Sequence, residues 1–247
     1  MKINIKSVII FLLIVIVIIF TYIYFNKGLA EQIILKNKFF YEPEEISPDL
    51  EKIDDIKHEI YDEVMKVYNE KSSTKWQDWP EKNLYERSGT WKIFPFYGFG
   101  IWNDDAIEKC PILAKYLKNL KGLKLATLSK LSSGMKLTKH RGWGNHSNHV
   151  IRCHYGLVVP EGCYIAVGDI VNKNGKYIEK KQYHKKFTWT TFDDSKDHYA
   201  ENTSDQDRIV LIIDMARPKD IEIGKSTIGD SKELIEIVKY FNDHNKK

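Results

Sequence analysis

The stretch FDDSKDHYAENTSDQDRIVLIIDMARP (residues 192–218) opens with acidic residues and a histidine, crosses a polar turn and ends in an apolar run. That run, RIVLIIDM (208–215), reads as a β-strand with Arg208 at its mouth and Asp214 near its end. The same texture extends upstream. LATLSKL (125–131), MKLTKH (135–140), VIRCHYGLVV (150–159), CYIAVGDIV (163–171) and FTWTTF (187–192) are short β runs separated by glycines and polar turns. WKIFPFYGFGIW (91–102), aromatic and broken by proline and glycine, adds a strand or two. Many short strands at this spacing predict a mainly β domain, an antiparallel sandwich or barrel with a jelly roll as the natural candidate.

Helices flank the strands. Ile53, Ile56, Ile60, Val64 and Val67 recur at helical spacing within residues 51–70, and Ala106 to Leu120 reads as one short helix with Pro111 near its start. The tail from Asp230 reads as a closing helix capped by Asp230 or Ser231. At the other end, Val8 to Phe25 is apolar and long enough, at ~27 Å as a helix, to cross a bilayer. A cleavable signal peptide is the rival reading, because Gly28-Leu29-Ala30 resembles a cleavage site. The expected organisation is a short tail (1–7), a transmembrane anchor (8–25), a linker (26–50), a helical and irregular lead-in (51–90), the jelly-roll domain (91–218) and a helical tail (219–247). A single-pass membrane protein follows, with its domain on the luminal or extracytosolic side.

Composition excludes several classes. With 43% hydrophobic and 13% aromatic residues the chain can build a packed core. The formal charge of +4 is a slight excess spread along the chain, which gives nucleic acid no basic patch. Three cysteines without a CxxC exclude a fully paired disulfide framework and leave a zinc ribbon unsupported.

Six of the eight histidines lie between residues 140 and 198, and imidazole is the commonest metal ligand. His146, His149 and His184 read as loop residues. His140 ends a strand and His198 follows one, so the two could converge on a metal. Position 142, where a two-histidine, one-carboxylate iron site would carry an acid, is glycine. Strand alternation puts Arg152 and His154 on one face and Ile151, Cys153, Tyr155 and Leu157 on the other. Arg208 either clamps a small anion or pairs with Asp205, Asp207 or Asp214. Asp193 and Asp194 read as residues that shape a turn.

Three stretches, LSKLSSGMKLTKHRGWGN, IRCHYGLVVPEGCYI and the opening segment, resemble in order and spacing the catalytic domain of the aspartyl/asparaginyl β-hydroxylases. That family contains Fe(II)- and 2-oxoglutarate-dependent dioxygenases on a double-stranded β-helix, and its bacterial relatives include a lipid A hydroxylase. The resemblance covers about half the chain, from Trp91 to Pro218. It implies that His140 and His198 bind Fe(II), and that Gly142 matches the family's own departure from the usual acid. It implies that Arg208 pairs with the far carboxylate of 2-oxoglutarate, assisted by Ser129, and that Arg152 and His154 also contact this cosubstrate. The implied reaction is oxidative decarboxylation of 2-oxoglutarate coupled to hydroxylation of an unactivated C–H. The substrate would be an Asp or Asn side chain of a protein, or alternatively a lipid acyl chain near the membrane. A catalytically inactive jelly-roll binding module is the rival class. The segment between His140 and Arg152 is longer here than in the family, and MARP replaces the Trp-His-Pro ending common in animal members.

Overall fold

The structure is a computed structural model and describes residues 14–25, 38–70, 76–87, 89–170, 175–232 and 235–236. The chain forms two compact units, residues 1–38 and 39–247. In the first, residues 14–25 are helical with exposed apolar side chains. Among the described residues no helix is long and apolar enough to cross a membrane. The described helix is shorter than the span expected from sequence, whose first residues, 8–13, lie outside the described residues.

In the second unit, two antiparallel sheets face one another. Eleven strands are described: β1 (Phe40–Tyr41), β2 (Gln77–Asp78), β3 (Trp91–Gly98), β4 (Ile101–Trp102), β5 (Leu123–Leu131), β6 (Val150–Val158), β7 (Cys163–Ile170), β8 (Tyr177–Tyr183), β9 (Trp189–Phe192), β10 (Asp197–Asn202) and β11 (Arg208–Ala216). The large sheet runs β1-β9-β6-β11-β5-β3-β2, with β4 on β3, and the small sheet runs β10-β7-β8. This is the mainly β, two-sheet architecture expected.

The period of two along each strand sorts its residues. On β11, Ile209, Leu211, Ile213 and Met215 join β6 residues Ile151, Cys153, Tyr155 and Leu157 in a core that also holds Ile53, Ile60, Val64 and Val67 from the flanking helical segment, residues 48–69. The opposite face of the same strands carries Arg208 and Asp214 on β11, Arg152 and His154 on β6, and Ser129 on β5. This inner face looks toward the small sheet, where Ile165, Val167 and Ala200 pack with Trp91, Ile93 and Leu131. Polar residues at the inner positions of otherwise apolar strands therefore end up together inside the sandwich.

Several boundaries differ from expectation. The linker ends early: Phe39 and Leu50 are buried in the domain, and β1 pairs with β9. Residues 48–56 form a 3₁₀ helix leading into the α-helix Lys57–Asn69. The predicted helix 106–120 is two helices, Asp104–Lys109 and Pro111–Asn119. Cys110 precedes a proline and so is pushed out of helical conformation. The new N-terminus is capped by the buried carboxylate of Glu63, which accepts from the amides of Ile112 (2.9 Å) and Leu113 (3.0 Å). MKLTKH makes only isolated bridges, Lys136 to Glu201 and His140 to His198. β8 and β10, unforeseen, are strands. All three cysteines are free and buried. In the tail, Lys232, Ile235 and Glu236 are helical and Ile235 bonds back to the Ser231 carbonyl; the rest of the predicted helix lies outside the described residues.

Candidate active site

His140 and His198 are brought together by the backbone. Their amides and carbonyls bond reciprocally at 3.0 and 2.8 Å, and their rings lie 4.3 Å apart between centroids. Each ring is oriented by its own chain two residues upstream. His140 Nδ1 donates to the Thr138 carbonyl at 2.7 Å, and His198 Nδ1 donates to the Lys196 carbonyl at 2.9 Å. A neutral imidazole that donates from Nδ1 keeps its lone pair on Nε2, which is the metal-ligating form. Burial, joined by the neighbouring His198, pushes His140 down to about 3, and burial pushes His198 down to about 4. Both rings are therefore neutral at physiological pH. Among the described residues no cluster of three or more His, Cys, Asp or Glu side chains has metal-holding geometry.

A carboxylate nevertheless stands beside the pair. Asp194, 1% exposed, has Oδ1 3.4 Å from His198 Nε2 and 2.6 Å from Arg152 Nη1. Its Oδ2 occupies the space a side chain at position 142 would need, since a Cβ built on Gly142 would fall 2.0 Å from it. Glycine at 142 and the acid at 194 are thus one arrangement: the carboxylate arrives from the β9–β10 turn. Asp193 behaves as expected of a turn residue. It accepts from Ser195 N and Oγ and pairs with Arg217 in a bidentate bridge. Asp194 was not recognisable as a site residue because its partner Arg152 is remote in sequence.

On the floor, Arg152 and Asp214 sit directly opposite each other on β6 and β11 and form a bidentate pair at 2.8 and 2.9 Å. His146 Nε2 reaches Asp214 at 2.7 Å, so it is part of this network and not a loop ornament. Burial opposes ionisation of Asp214, and Arg152 and His146 outweigh it, holding the carboxyl far below the usual range. His149 is exposed, as expected.

Arg208 has no such partner. It is 1% exposed, and Asp214 and Asp207 are engaged elsewhere, with Arg152 and with Lys130 and Tyr68. Its Nε and Nη1 bond to nothing among the described residues, and Nη2 makes one long contact, 3.4 Å, to Ser129 Oγ. Burial pushes Arg208 down to about 10, still fully charged at neutral pH. Ser129 Oγ already accepts from Trp91 Nε1 at 3.0 Å, so its own proton is left to donate. His154 Nε2 is also buried without a partner. Arg208, Ser129 and His154 line one cavity with His140, His198 and Arg152. A buried cation with unsatisfied donors demands an anion, and a planar guanidinium fits a carboxylate. The donor set fits 2-oxoglutarate, and the paired Nε2 atoms fit a divalent metal.

Residues 55–218 match the family described as Aspartyl/Asparaginyl beta-hydroxylase. The chain belongs to that family. Among its curated relatives is the ornithine lipid ester-linked acyl 2-hydroxylase of Rhizobium tropici, 33% identical over 128 residues, which are 52% of this chain and 42% of that protein. The mouse aspartate beta-hydroxylase domain-containing protein 2 is 31% identical over 140 residues, 53% of this chain and 37% of that protein. The chain thus matches less than half the length of either relative. Among solved structures, the non-heme alpha ketoglutarate dependent epimerase SnoN from nogalamycin biosynthesis superposes with a TM-score of 0.42 at 12% identity, covering 72% of this chain and 87% of that one.

Proposed function

We propose that the chain is an Fe(II)- and 2-oxoglutarate-dependent hydroxylase that inserts oxygen into an unactivated C–H bond. The observation that carries this is Arg208, a buried cation with unsatisfied donors, in the same cavity as two neutral, Nε2-presenting histidines. When bound, iron and 2-oxoglutarate supply the oxidising chemistry by oxidative decarboxylation to succinate. The chain's own residues do the rest. His140 and His198 hold the metal, and the Thr138 and Lys196 carbonyls hold them in the ligating tautomer. Asp194 lends negative charge to a site with only two protein ligands. Arg208 and the Ser129 hydroxyl bind the far carboxylate, and His154 and Arg152 lie on the strand beneath the cosubstrate. The apolar walls, Leu137, Ile165, Phe192 and Ile212, exclude water from the reacting centre.

Anaerobic addition of Fe(II) and 2-oxoglutarate should give a weak visible charge-transfer band that His198→Ala abolishes. No band, and no succinate in air with any candidate substrate, would favour the inactive binding module instead.

For the substrate we favour a protein Asp or Asn side chain, with a lipid acyl chain as the second class, because the relatives carry names of both kinds. Mass spectrometry of host membrane proteins and lipids after turnover separates them by which fraction gains one oxygen. Residues 8–25 are read as a membrane anchor on their apolar sequence. Retention of the full chain in the membrane pellet after alkaline carbonate extraction is the expected result, and release into the supernatant would refute it.

A further inference from the structure

Behind His154 lies a second buried histidine that the reaction does not require. His154 Nδ1 and His184 Nε2 are 3.2 Å apart, and the rings are near-parallel at 19° with centroids 5.4 Å apart. Both side chains are buried, at 4% and 6% exposure. Their outer nitrogens, His154 Nε2 and His184 Nδ1, have no partner among the described residues. His154 faces the cavity with Arg208 and Ser129, whereas His184 does not line it.

The contact is built by the backbone. His184 follows β8, and its amide is anchored on the Cys163 carbonyl at 2.9 Å. The loop then crosses the inner face of β6 at Gly156, where Phe187 N bonds the Gly156 carbonyl at 2.7 Å and Gly156 N bonds the Thr188 carbonyl at 3.1 Å. A Cβ at 156 would lie 2.1 Å from the Lys185 carbonyl oxygen. Glycine two residues after His154 is what lets the loop lie close enough to seat His184 against it.

Only one proton can lie between the two rings if both are neutral, and burial, with Arg208 nearby, keeps both well below the usual histidine range. Two arrangements exist. If His154 donates from Nδ1, His184 must carry its proton on Nδ1, a buried donor that no ligand in the cavity can reach. If His184 donates from Nε2, the unsatisfied donor is His154 Nε2–H, which faces the cavity where an anion can accept from it. Orphaned buried donors are costly, so the second arrangement is favoured, and ligand binding leaves it with no orphaned donor.

We propose that His184 is a positioning residue for cosubstrate recognition: it donates to His154 Nδ1 and so fixes the His154 proton on Nε2, aimed at the carboxylate-bearing ligand that Arg208 binds. The proposal deepens the oxygenase reading and rests on it.

The test has two arms on the full chain. In the metal-free, ¹⁵N-histidine-labelled protein, two-bond proton–nitrogen spectra read the tautomer of His154 directly, with His154→Gln and His184→Phe used for assignment. A proton on Nε2 in the wild type is expected, and a proton on Nδ1 overturns the proposal. In the Zn(II)-loaded protein, calorimetry reads 2-oxoglutarate binding. His184→Phe, which keeps the shape and removes the donor, should weaken it about 10- to 100-fold, the loss typical of one hydrogen bond that aims a charged contact. His184→Gln, whose amide nitrogen replaces Nε2, should bind within about threefold of wild type, and Zn(II) affinity should be unchanged in both. Wild-type affinity in His184→Phe, or a Gln variant as weak as Phe, overturns the role of His184. A wild-type protein that binds no 2-oxoglutarate overturns the oxygenase reading instead, and the tautomer still decides how the two histidines are arranged.

Discussion

Arg208 concentrates the conflict between stability and function in one side chain. A guanidinium with 1% exposure and no carboxylate beside it is destabilising in the free protein, because its desolvation is not offset by pairing. Arg208→Met should therefore leave the thermal midpoint unchanged or raise it, while 2-oxoglutarate binding falls at least 100-fold. A large drop in the midpoint would mean that the arginine is held by structure and not reserved for a ligand. Asp194 makes the complementary case. Arg152 keeps its bidentate bridge to Asp214 when Asp194 is truncated, so Asp194→Ala should fold, yet metal affinity at the histidine pair should fall, because Asp194 Oδ1 lies 3.4 Å from His198 Nε2, the ligating nitrogen, where a carboxylate attracts a divalent cation directly. Unchanged Zn(II) affinity in calorimetry would refute it. Gly142→Asp, the substitution that writes the common iron motif into the sequence, should not create a third ligand, because Asp194 Oδ2 already fills that volume.

At the level of elements, legibility followed amphipathic contrast. β6 and β11 are readable because one face is an unbroken apolar row and the other carries the polar residues of the site, and β5 shows the same contrast more briefly, with Ala126 and Leu128 on one face and Thr127 and Ser129 on the other. β10, DHYAEN, reads as part of a polar turn because its inner positions are His198, Ala200 and Asn202, two of them polar for reasons that only the assembled sandwich supplies. β8, YIEKKQY, is largely exposed and offers no hydrophobic alternation to detect. His184 reads as a loop residue in the sequence for a related reason: its partner His154 lies on another element, and the glycine that brings the two together is informative only once the crossing loop is known. The helix break at Cys110–Pro111 was half visible, since the proline marks a start, but the cap comes from Glu63 on a different helix. Removing that carboxylate with Glu63→Ala should cost about 1–2 kcal/mol, the range for a helix cap, read as a lower urea midpoint with the slope and 2-oxoglutarate affinity unchanged.

Across the whole molecule, the site makes stability depend on pH in a definite direction. His140, His198, His154 and His184 are all held neutral in the fold, the first two down to about 3 and about 4 and the others well below the ordinary value, in each case with burial as the main cause. In the unfolded chain each protonates near 6.5. As pH falls below that value the unfolded state binds protons that the folded state refuses, so stability declines with acidification from about 6.5 toward 4. At pH 5.5 each histidine contributes a loss of about 1.4 kcal/mol relative to pH 7.5, and four together are a large fraction of a domain's stability. Below that window Asp193 and Asp214, whose carboxyls their arginine partners hold below the usual range, continue the loss as they protonate. Urea unfolding of the metal-free protein at the two pH values should show a clearly lower midpoint at 5.5, and a midpoint that does not move would mean that these rings are charged or solvated in the fold. Adding Zn(II) and 2-oxoglutarate should recover much of the loss at pH 5.5, because ligands that bind only the folded form stabilise it and hold the same rings unprotonated. The polar interior that weakens the empty domain in acid is therefore the feature that couples its folding to occupancy of the site.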